Sequence, residues 1–464
     1  MKPSKLLYFM ILLLILSLAL QPVNTTYLAK AATSTSLEAS ENAVVTLHSK
    51  NKRPSVYADS AILMDANTGA VLYSKRIHKK QYPASITKIM TTLLALENLS
   101  PTDTVTFSRN AVYSIEPGSS SIGIDEGEEL TVEQCLYGIM LASANEVSNA
   151  IAEQVAGDNA SFANMMNEKS TELGCVNTHF TNPHGLHDKE HYTTAYDMAL
   201  IAKEAYQNEE YKKIIATDHI IIPPTNIQTD ERYIQNHHKM FRQTKFYYEG
   251  CTGGKTGYTT DAKNTLVTYA KRGDLELICV VLRTNAQNVY VDTQKILDYG
   301  FHNYISYYPT NEQAYQDFVK ENPLDNATSN SYIDTNYSIT LPKDIVSSNI
   351  SMNYTKGVED EKSYLEFTYE DQTIGLAPLN VKEKSSVSSP ASSKKEKKKK
   401  AINTAIKPIL ILIVVVILLL GFILFSVKLT LDRRRKSMYI ISRSPSRRHH
   451  RGPRRHNRRN QLHF

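Results

Sequence analysis

The stretch Gln81–Leu96, QYPASITKIMTTLLAL, decides how the rest of the chain is interpreted. It predicts a helix whose first turn carries a serine and a lysine three residues apart, Ser85 and Lys88. Residues spaced i, i+3 lie on one face of a helix, so these side chains are expected to be neighbours. A serine hydroxyl is a weak nucleophile until a base takes its proton, and a lysine is a base only when its ammonium form is destabilised. An activated serine here therefore requires a second element that destabilises the charge of the lysine.

Two further motifs follow along the chain. Residues Ser143–Asn145 form an S-x-N sequence, and Lys255–Gly257 form a K-T-G sequence just before a predicted β-hairpin. An S-x-x-K sequence alone is weak evidence, because such pairs are common on solvated helix faces. The order S-x-x-K, S-x-N, K-T-G is the motif set of penicillin-recognising serine enzymes. The three motifs together indicate nucleophilic catalysis by Ser85.

Some of the residues in and around these three motifs suit the steps of nucleophilic attack and proton transfer. At a helix start, the dipole favours negative charge near Ser85, and the N–H of Ser85 can help to bind an oxyanion. Lys88 is predicted to be the general base, with Lys255 as the second cation that lowers its pKa. Ser143 is predicted to pass a proton between the lysines and the leaving amine.

The remaining residues suit substrate binding. Asn145 can hold both the substrate amide and the lysine head group. Lys255 and Thr256 can bind a carboxylate at the end of the substrate. Gly257 would allow a substrate strand to approach the edge of a sheet closely, and the N–H of Tyr258 would be the second oxyanion donor.

Longer stretches resemble the low-molecular-weight penicillin-binding proteins that act as D-alanyl-D-alanine carboxypeptidases. The resemblance covers about residues 57–303 and is carried by these stretches: YPASITKIMT at 82–91, SSSIGIDEGEELTVEQCLYGIMLASANEVSNAIAE at 119–153, NTHFTNPHGLHDKEHYTTAYDMALIAKEA at 177–205 and GGKTGYTTDAKNTLVTYAKR at 253–272. It implies that Ser85 is the nucleophile and Lys88 the base, with Ser143 as the S-x-N serine and Lys255 as the substrate-binding lysine.

The resemblance also implies the reaction. Ser85 would attack the penultimate D-Ala carbonyl of a peptidoglycan stem peptide ending in D-Ala-D-Ala, and water would hydrolyse the acyl-enzyme. β-Lactam antibiotics would acylate the same serine. No cofactor is implied, and no metal site is predicted, because the spacing of His184, His187 and His191 fits no standard zinc pattern.

The sequence departs from the family's pattern at three places. Glu146 stands where an aspartate often follows the S-x-N motif, and it is expected to lie outside the chemistry. No arginine aligns cleanly upstream of K-T-G, so His237, Lys239 and Arg242 stay open as substitutes. The C-terminus carries a spanning segment and a basic tail, where family members often have an amphipathic surface helix.

Other functions remain open. A β-lactamase is disfavoured, because no E-x-x-L-N sequence lies between S-x-N and K-T-G. A DD-endopeptidase acting on peptidoglycan cross-links uses the same motifs. A membrane sensor of β-lactams or muropeptides would be acylated without turnover and would signal through the span to the tail.

Residue patterns predict an α+β fold. Residues around Asn67 read as a hairpin turn, and a capping box of Thr131 and Gln134 opens a helix. Helical patterns cover about 159–173, 193–207 and 287–300, and a hairpin turns at Gly273. Strands at both ends with helices between them indicate one sheet assembled from distant segments and covered by helices, followed by a small all-β domain and a C-terminal transmembrane helix. The resemblance implies that this is the antiparallel sheet of penicillin-recognising serine transpeptidases and β-lactamases.

Both ends of the chain point to a membrane. An apolar run at 6–20 follows Lys2 and Lys5, which is typical of an export signal. Residues 408–427 are apolar and uncharged, long enough to span a bilayer. The tail after them holds thirteen Lys and Arg and one acid, so the rest of the chain sums to −6 against a total of +6. This basic tail is expected to lie in the cytoplasm and to contact anionic lipid rather than nucleic acid.

The predicted organisation, for a bacterial membrane protein with an extracytoplasmic catalytic domain, has seven parts: 1–31 signal peptide, 32–56 flexible linker, 57–303 catalytic domain, 304–383 small β domain, 384–407 Ser/Lys-rich linker, 408–427 transmembrane helix and 428–464 basic cytoplasmic tail.

Overall fold

The protein is described by a computed structural model that covers residues 44–241, 244–324, 332–356 and 362–380. All of them belong to the first of two units into which the chain divides, residues 1–383. The strands in these ranges are β1 (Ser60–Asp65), β2 (Val71–Lys75), β3 (Thr104–Thr106), β4 (Glu129–Thr131), β5 (His219–Ile222), β6 (Arg232–Gln235), β7 (Cys251–Thr259), β8 (Lys263–Arg272), β9 (Leu275–Thr284), β10 (Tyr304–Tyr307), β11 (Ile339–Pro342), β12 (Ser351–Lys356), β13 (Ser363–Tyr369) and β14 (Gln372–Pro378).

The α-helices in the same ranges are α1 (Lys88–Asn98), α2 (Arg109–Tyr113), α3 (Val132–Leu141), α4 (Asn145–Ala156), α5 (Asn159–Glu172), α6 (Ala195–Ala205), α7 (Glu209–Ala216), α8 (Asn288–Asn303) and α9 (Gln313–Glu321). Helix α3 starts with the predicted capping box, in which the Thr131 side chain accepts from the Gln134 N–H and the Gln134 side chain accepts from the Thr131 N–H. Short 3-10 turns lie at Ala84–Thr87, Pro309–Asn311 and Ser347–Asn349.

A five-stranded antiparallel sheet joins the two ends of the predicted catalytic domain. Its order is β2-β1-β9-β8-β7, and β1 pairs directly with β9. The β8–β9 hairpin turns at Gly273 and Asp274, where Gly273 takes the positive φ of +57°. The prediction of one sheet built from distant segments is confirmed. Strand β7, which carries the K-T-G motif, is an edge strand, so one side of its backbone is not paired with another strand of the sheet.

The sheet separates two apolar cores, because alternate residues of a strand point to opposite faces. On one face, Ile62 and Val280 belong to the core that includes residues of α1, α3, α4 and α6. On the other face, Leu63 and Val281 join Ile296 and Leu297 of α8. Helices therefore cover both faces, and the first core also buries the helices that carry the S-x-x-K and S-x-N motifs.

The segment after α8 contains the predicted short strands together with helix α9, which the sequence analysis did not predict. Strand β10 pairs with β11, and β12, β13 and β14 form a second sheet. This segment is hydrogen-bonded to the main sheet, because Thr340 Oγ1 donates to Asp65 Oδ2 at 2.9 Å and lies 2.6 Å from Thr68 Oγ1. A separate core holds it together, with Tyr315 and Phe367 among its buried residues.

Part of the predicted linker is fixed rather than free. Within residues 44–56, the Val45 N–H donates to the Thr373 carbonyl at 2.7 Å. The Ser49 N–H donates to Tyr304 Oη at 3.2 Å. The described part of the linker therefore packs along the fold, which differs from the flexible segment that its composition predicted.

The predicted signal peptide, the Ser/Lys-rich linker, the transmembrane segment at 408–427 and the basic tail lie outside the described residues. Within the described ranges, no helix combines the length and the apolar composition that crossing a membrane requires.

Candidate active site

Ser85 lies in a tight turn rather than in the first turn of an α-helix. The turn Ala84–Thr87 is a 3-10 helix, and α1 begins at Lys88. Ala84 takes the positive φ of +53°, which an α-helix cannot contain, so the helix start moves three residues beyond the predicted one. The predicted pair still forms, because Lys88 Nζ lies 3.4 Å from Ser85 Oγ.

The Lys88 side chain is completely buried. Its Nζ donates to Asn145 Oδ1 and to the His184 carbonyl, both at 2.7 Å. A neutral amine has two N–H groups and one lone pair. The two short hydrogen bonds use both N–H groups, which leaves the lone pair for the more distant Ser85 hydroxyl. This arrangement suits a base that accepts the proton of Ser85.

Burial is the main reason why the pKa of Lys88 lies well below its usual value, and the nearby charge of Lys255 lowers it further. The charge of Glu146 acts in the opposite direction. Lys255, on β7, is itself fully buried, and burial lowers its pKa to about 7. Its Nζ donates to the Thr256 carbonyl at 2.9 Å. The structure thus brings the two predicted lysines together, and their protonation is coupled.

The S-x-N motif forms the connection between α3 and α4. Ser143 takes a φ of +65°, which is uncommon for a residue with a side chain, and Asn145 is the first residue of α4. The buried Ser143 Oγ has no hydrogen-bond partner among the described residues. A buried hydroxyl without a hydrogen-bond partner destabilises the folded state, and such groups are found at catalytic and ligand-binding sites.

Two glycines hold the turn of Ser85 between them. A Cβ added to Gly257 would lie 2.3 Å from Thr265 Oγ1 and 2.9 Å from the backbone nitrogen of Ser85. A Cβ on Gly185 would lie 2.0 Å from the Ala84 carbonyl oxygen. Gly257 therefore packs closely against the backbone of Ser85, and the approach of a substrate strand to Gly257 stays a prediction.

The loop 182–185 was not assigned to the site by the sequence analysis. Asn182 Oδ1 accepts from the Gly185 N–H at 2.7 Å, and Gly185 takes a φ of +86°. This turn places the His184 carbonyl against Lys88. A backbone carbonyl has no residue-type signature, but the sequence NPHG is itself a turn signal and marks this loop.

The histidines of this region are hydrogen-bonded within the fold. His191 Nδ1 accepts from the Thr181 N–H at 3.0 Å, and its Nε2 lies 2.8 Å from Thr87 Oγ1. Burial lowers the pKa of His191 to about 3 and also lowers the pKa of His184, so both imidazoles are neutral at pH 7. His191 therefore stabilises the turn that carries Ser85.

Glu146 is closer to the chemistry than the sequence suggested. Its buried Oε1 accepts from Ser121 Oγ and from the Ile122 N–H, both at 2.7 Å. It fixes this loop beside the S-x-N motif, and its charge acts on Lys88. The departure from aspartate thus lies within the electrostatic environment of Lys88.

The other predicted site residues have different surroundings. The Tyr258 side chain is 61% exposed at the sheet edge. The His237 N–H donates to the Leu141 carbonyl at 3.1 Å, which places His237 beside the S-x-N motif. Arg242 lies outside the described residues. Of the two open substitutes that the structure describes, His237 and Lys239, His237 is hydrogen-bonded next to the S-x-N motif.

Comparisons with known proteins agree with this geometry. Residues 47–286, just over half of the chain, match the model of the family described as D-alanyl-D-alanine carboxypeptidase. The chain is 38% identical over 254 residues to D-alanyl-D-alanine carboxypeptidase DacF of Bacillus subtilis, covering 53% of this chain and 63% of that protein. The chain thus spans less than two thirds of the length of this relative.

Two solved structures are similar to the fold. The DD-transpeptidase of Streptomyces K15 aligns with a TM-score of 0.51 and 29% identity, over 54% of this chain and 100% of that one. Penicillin binding protein 6B from Escherichia coli aligns with a TM-score of 0.56 and 25% identity, over 72% of this chain and 100% of that one. The penicillin-recognising α+β fold predicted from the motifs is therefore confirmed.

The glycine contacts predict a difference between two substitutions of the same kind. Gly185 and Gly157 have nearly equal φ angles, +86° and +87°, but a Cβ on Gly157 meets nothing within 4 Å. Gly157→Ala should lower the free energy of unfolding by about 1–2 kcal/mol from backbone strain alone. Gly185→Ala should cost about 1–3 kcal/mol more, because the Ala84 carbonyl must move. Urea denaturation of both variants checks this, and equal losses would contradict the packing described here.

Proposed function

This chain belongs to the D-alanyl-D-alanine carboxypeptidase family, and from that membership we propose that it is a serine-type carboxypeptidase. Its substrate would be the peptidoglycan stem peptide, from which it removes the terminal D-Ala. One observation carries the proposal. The buried Nζ of Lys88 lies 3.4 Å from Ser85 Oγ, and burial and Lys255 lower its pKa. Such a lysine can take the proton of the serine at a pH well below the usual pKa of a lysine.

The acylation step follows from these positions. Ser85 Oγ gives its proton to Lys88 and attacks the carbonyl carbon of the penultimate D-Ala. The oxyanion that forms is bound by the N–H groups of Ser85 and Tyr258. Ser143 relays the proton to the leaving amine, the C–N bond breaks, and free D-Ala departs. An ester between Ser85 and the shortened peptide remains. Lys88 takes a proton from water as the water oxygen attacks the ester carbonyl, and this proton passes to Ser85 Oγ as the bond between Oγ and the carbonyl carbon breaks.

The substrate is held by the groups around this centre. Lys255, as an ammonium, and Thr256 would bind the terminal carboxylate. Asn145 would accept from Lys88 and hold the peptide amide. β-Lactams present a strained amide and a carboxylate in a similar arrangement, so they would acylate Ser85 as well.

The reaction is tested by release of D-alanine from diacetyl-L-Lys-D-Ala-D-Ala by the purified full-length chain. We expect sustained release that Ser85→Ala abolishes, because the acyl-enzyme cannot form without the hydroxyl. A fluorescent penicillin reports independently whether Ser85 is acylated. Labelling of Ser85 without any D-alanine release would contradict the carboxypeptidase and favour the sensor or the DD-endopeptidase.

The lysine pair predicts the pH dependence of acylation. Lys88 must be neutral to act, so the rate constant for acylation by a fluorescent penicillin should rise with pH. It should level off well below 10.5, the usual pKa of a lysine, because burial and Lys255 lower the pKa of Lys88. Lys255→Met removes the neighbouring cation, so the midpoint of the rise should move to higher pH.

The position of this midpoint, rather than the absolute rate, is the result that matters, because Lys255 also binds substrate. Thr256→Ala serves as the control, since it alters substrate binding without removing a charge. A rate that does not depend on pH, or a midpoint that moves to lower pH in Lys255→Met, would contradict the role of Lys88 as base.

We also propose that the protein is anchored in the bacterial membrane with its catalytic domain outside the cytoplasm. The support is the uncharged apolar segment 408–427, the export signal at the N-terminus and the basic tail after the span. Membrane lipid is then a partner of residues 408–427.

Cell fractionation tests this placement. The full chain should stay in the membrane pellet after an alkaline carbonate wash, because a spanning helix resists extraction. In spheroplasts, an added protease should degrade the catalytic domain and spare an epitope placed on the tail. Recovery of the full chain in the carbonate supernatant would rule out a spanning anchor.

A further inference from the structure

The positions of three residues along β7 fix the direction of the substrate, if the proposed function holds. Gly257 packs against the backbone of Ser85, Lys255 precedes it, and Tyr258 follows it. A peptide whose terminal carboxylate meets Lys255 and whose reacting carbonyl meets Ser85 must run antiparallel to β7. Its residues on the amino-terminal side of the cleaved bond then point towards Thr259, where the strand ends.

A cleft of about 570 Å³ lies beside the turn that follows β7, because its lining residue Arg283 is hydrogen-bonded to that turn. We call it the upstream cleft and define it by its lining residues Lys79, Lys80, Tyr82, Lys189, Tyr192 and Arg283. One of these residues contacts the turn that follows β7, and a second is linked to it through His187. Arg283 Nη1 donates to the Asp261 carbonyl at 3.2 Å. The Tyr82 ring packs edge-on against His187, whose Nε2 lies 3.8 Å from Asp261 Oδ2.

The charges around the upstream cleft are mostly positive. Four of the residues named above are cations, and Glu190, which also lines the cleft, is the one acid among the described residues that do so. Asp59 offsets Lys79, whose Nζ lies 2.6 Å from Asp59 Oδ2. Lys80 and Lys189 form no ion pair with any residue in the described ranges. An excess of positive charge therefore remains inside a concave surface, which attracts an anion.

Two of the cations of the upstream cleft have defined surroundings. The Nζ of Lys80 stands 3.9 Å from the centre of the Tyr192 ring, which holds this ammonium at the cleft surface. Arg283 is held at a φ of +57°, an uncommon conformation for a residue with a side chain. The register between β8 and β9 shifts beside Arg283, so this conformation belongs to a β-bulge, a feature that often lies next to active sites.

We propose that the upstream cleft binds a carboxylate of the stem peptide on the amino-terminal side of the cleaved bond. An extended peptide advances about 3.4 Å per residue, so the first two residues before the penultimate D-Ala reach the end of β7. Stem peptides carry two carboxylates in this region. One is the α-carboxylate of a γ-linked D-glutamyl residue, and the other is the side-chain carboxylate of a diaminopimelyl residue at the third position.

This inference rests on the proposed function and predicts a preference among its substrates. The full-length chain should release D-alanine from L-Ala-γ-D-Glu-L-Lys-D-Ala-D-Ala with a higher kcat/KM than from the same peptide with D-isoglutamine. We expect a ratio of roughly 5–10, because each exposed charge pair contributes up to about 1 kcal/mol, or roughly fivefold. A second pair of peptides carries diaminopimelate or its amide at the third position. Their kcat/KM values show the contribution of the other carboxylate.

Variants that remove two positive charges from the upstream cleft show whether this cleft causes the preference for the acid peptide over the amide peptide. In Lys80→Gln with Lys189→Gln, the ratio between acid and amide peptides should fall towards 1, mainly through KM. The control Lys50→Gln with Lys320→Gln removes the same charge from exposed positions elsewhere and should keep the ratio. Lys80→Arg with Lys189→Arg should restore it. Salt should weaken the preference, since exposed charges are screened.

The outcomes separate this inference from the proposed function. The pair of peptides whose amidation lowers kcat/KM identifies the carboxylate that binds. Equal kcat/KM values for acid and amide in both pairs would overturn the inference while leaving the carboxypeptidase intact. A preference that survives in Lys80→Gln with Lys189→Gln would overturn it as well. No D-alanine release from any of these peptides would instead overturn the proposed function.

Discussion

A lysine amine without access to water is the constraint on which the site depends. A buried ammonium without a counter-charge is so costly that the group becomes neutral instead. The fold gives Lys88 two short hydrogen bonds, to Asn145 and to the His184 carbonyl, which a neutral amine can satisfy. Three segments that are distant in the sequence therefore meet at one nitrogen atom. Each of them must be placed accurately, because a misplaced acceptor would leave a buried donor unpaired.

The backbone around Ser85 follows from the same requirement. To bring its hydroxyl near Lys88, the chain turns at Ala84 with a positive φ and continues through a 3-10 turn. Gly185 and Gly257 pack against this turn, and Thr265 Oγ1 donates to the Pro83 carbonyl at 2.8 Å. The strain in the turn is thus stabilised by contacts from a loop and from two strands of the sheet. Local strain of this kind is tolerated where the surrounding structure determines the conformation.

The parts of the fold with a strong local signal could be predicted from the sequence. The β8–β9 hairpin has a glycine turn between two β-branched runs, and α3 has a complete capping box. The three motifs located Ser85, Lys88 and Lys255, because their chemistry depends on side chains. The His184 carbonyl could not be found in the same way, since every residue has one. The 3-10 turn at Ala84 was missed because tertiary contacts, rather than local propensity, impose its positive φ.

Helix α9 shows a different limit. Its buried residue Tyr315 and the partly buried Phe318 and Val319 have helical spacing, but the short β-like stretches around them favoured an all-β interpretation.

Glu146 shows a third limit of prediction from the sequence. Its type was read as a variation outside the site, whereas its buried position makes its charge act on Lys88. Burial determines how strongly the charge of a carboxylate acts on its neighbours. A single sequence does not show whether one particular polar residue is buried.

The two lysines also explain how substrate binding could set the protonation of the site, given the proposed function. Burial lowers the pKa of Lys255 to about 7, so near neutral pH it is only partly charged. A substrate carboxylate beside it would raise its pKa and hold the proton on Lys255. The charge on Lys255 would in turn keep the pKa of Lys88 low and leave its lone pair free for Ser85. The group that positions the substrate and the group that activates the nucleophile would then share one proton, and the acylation rate profile of Lys255→Met measures that link directly.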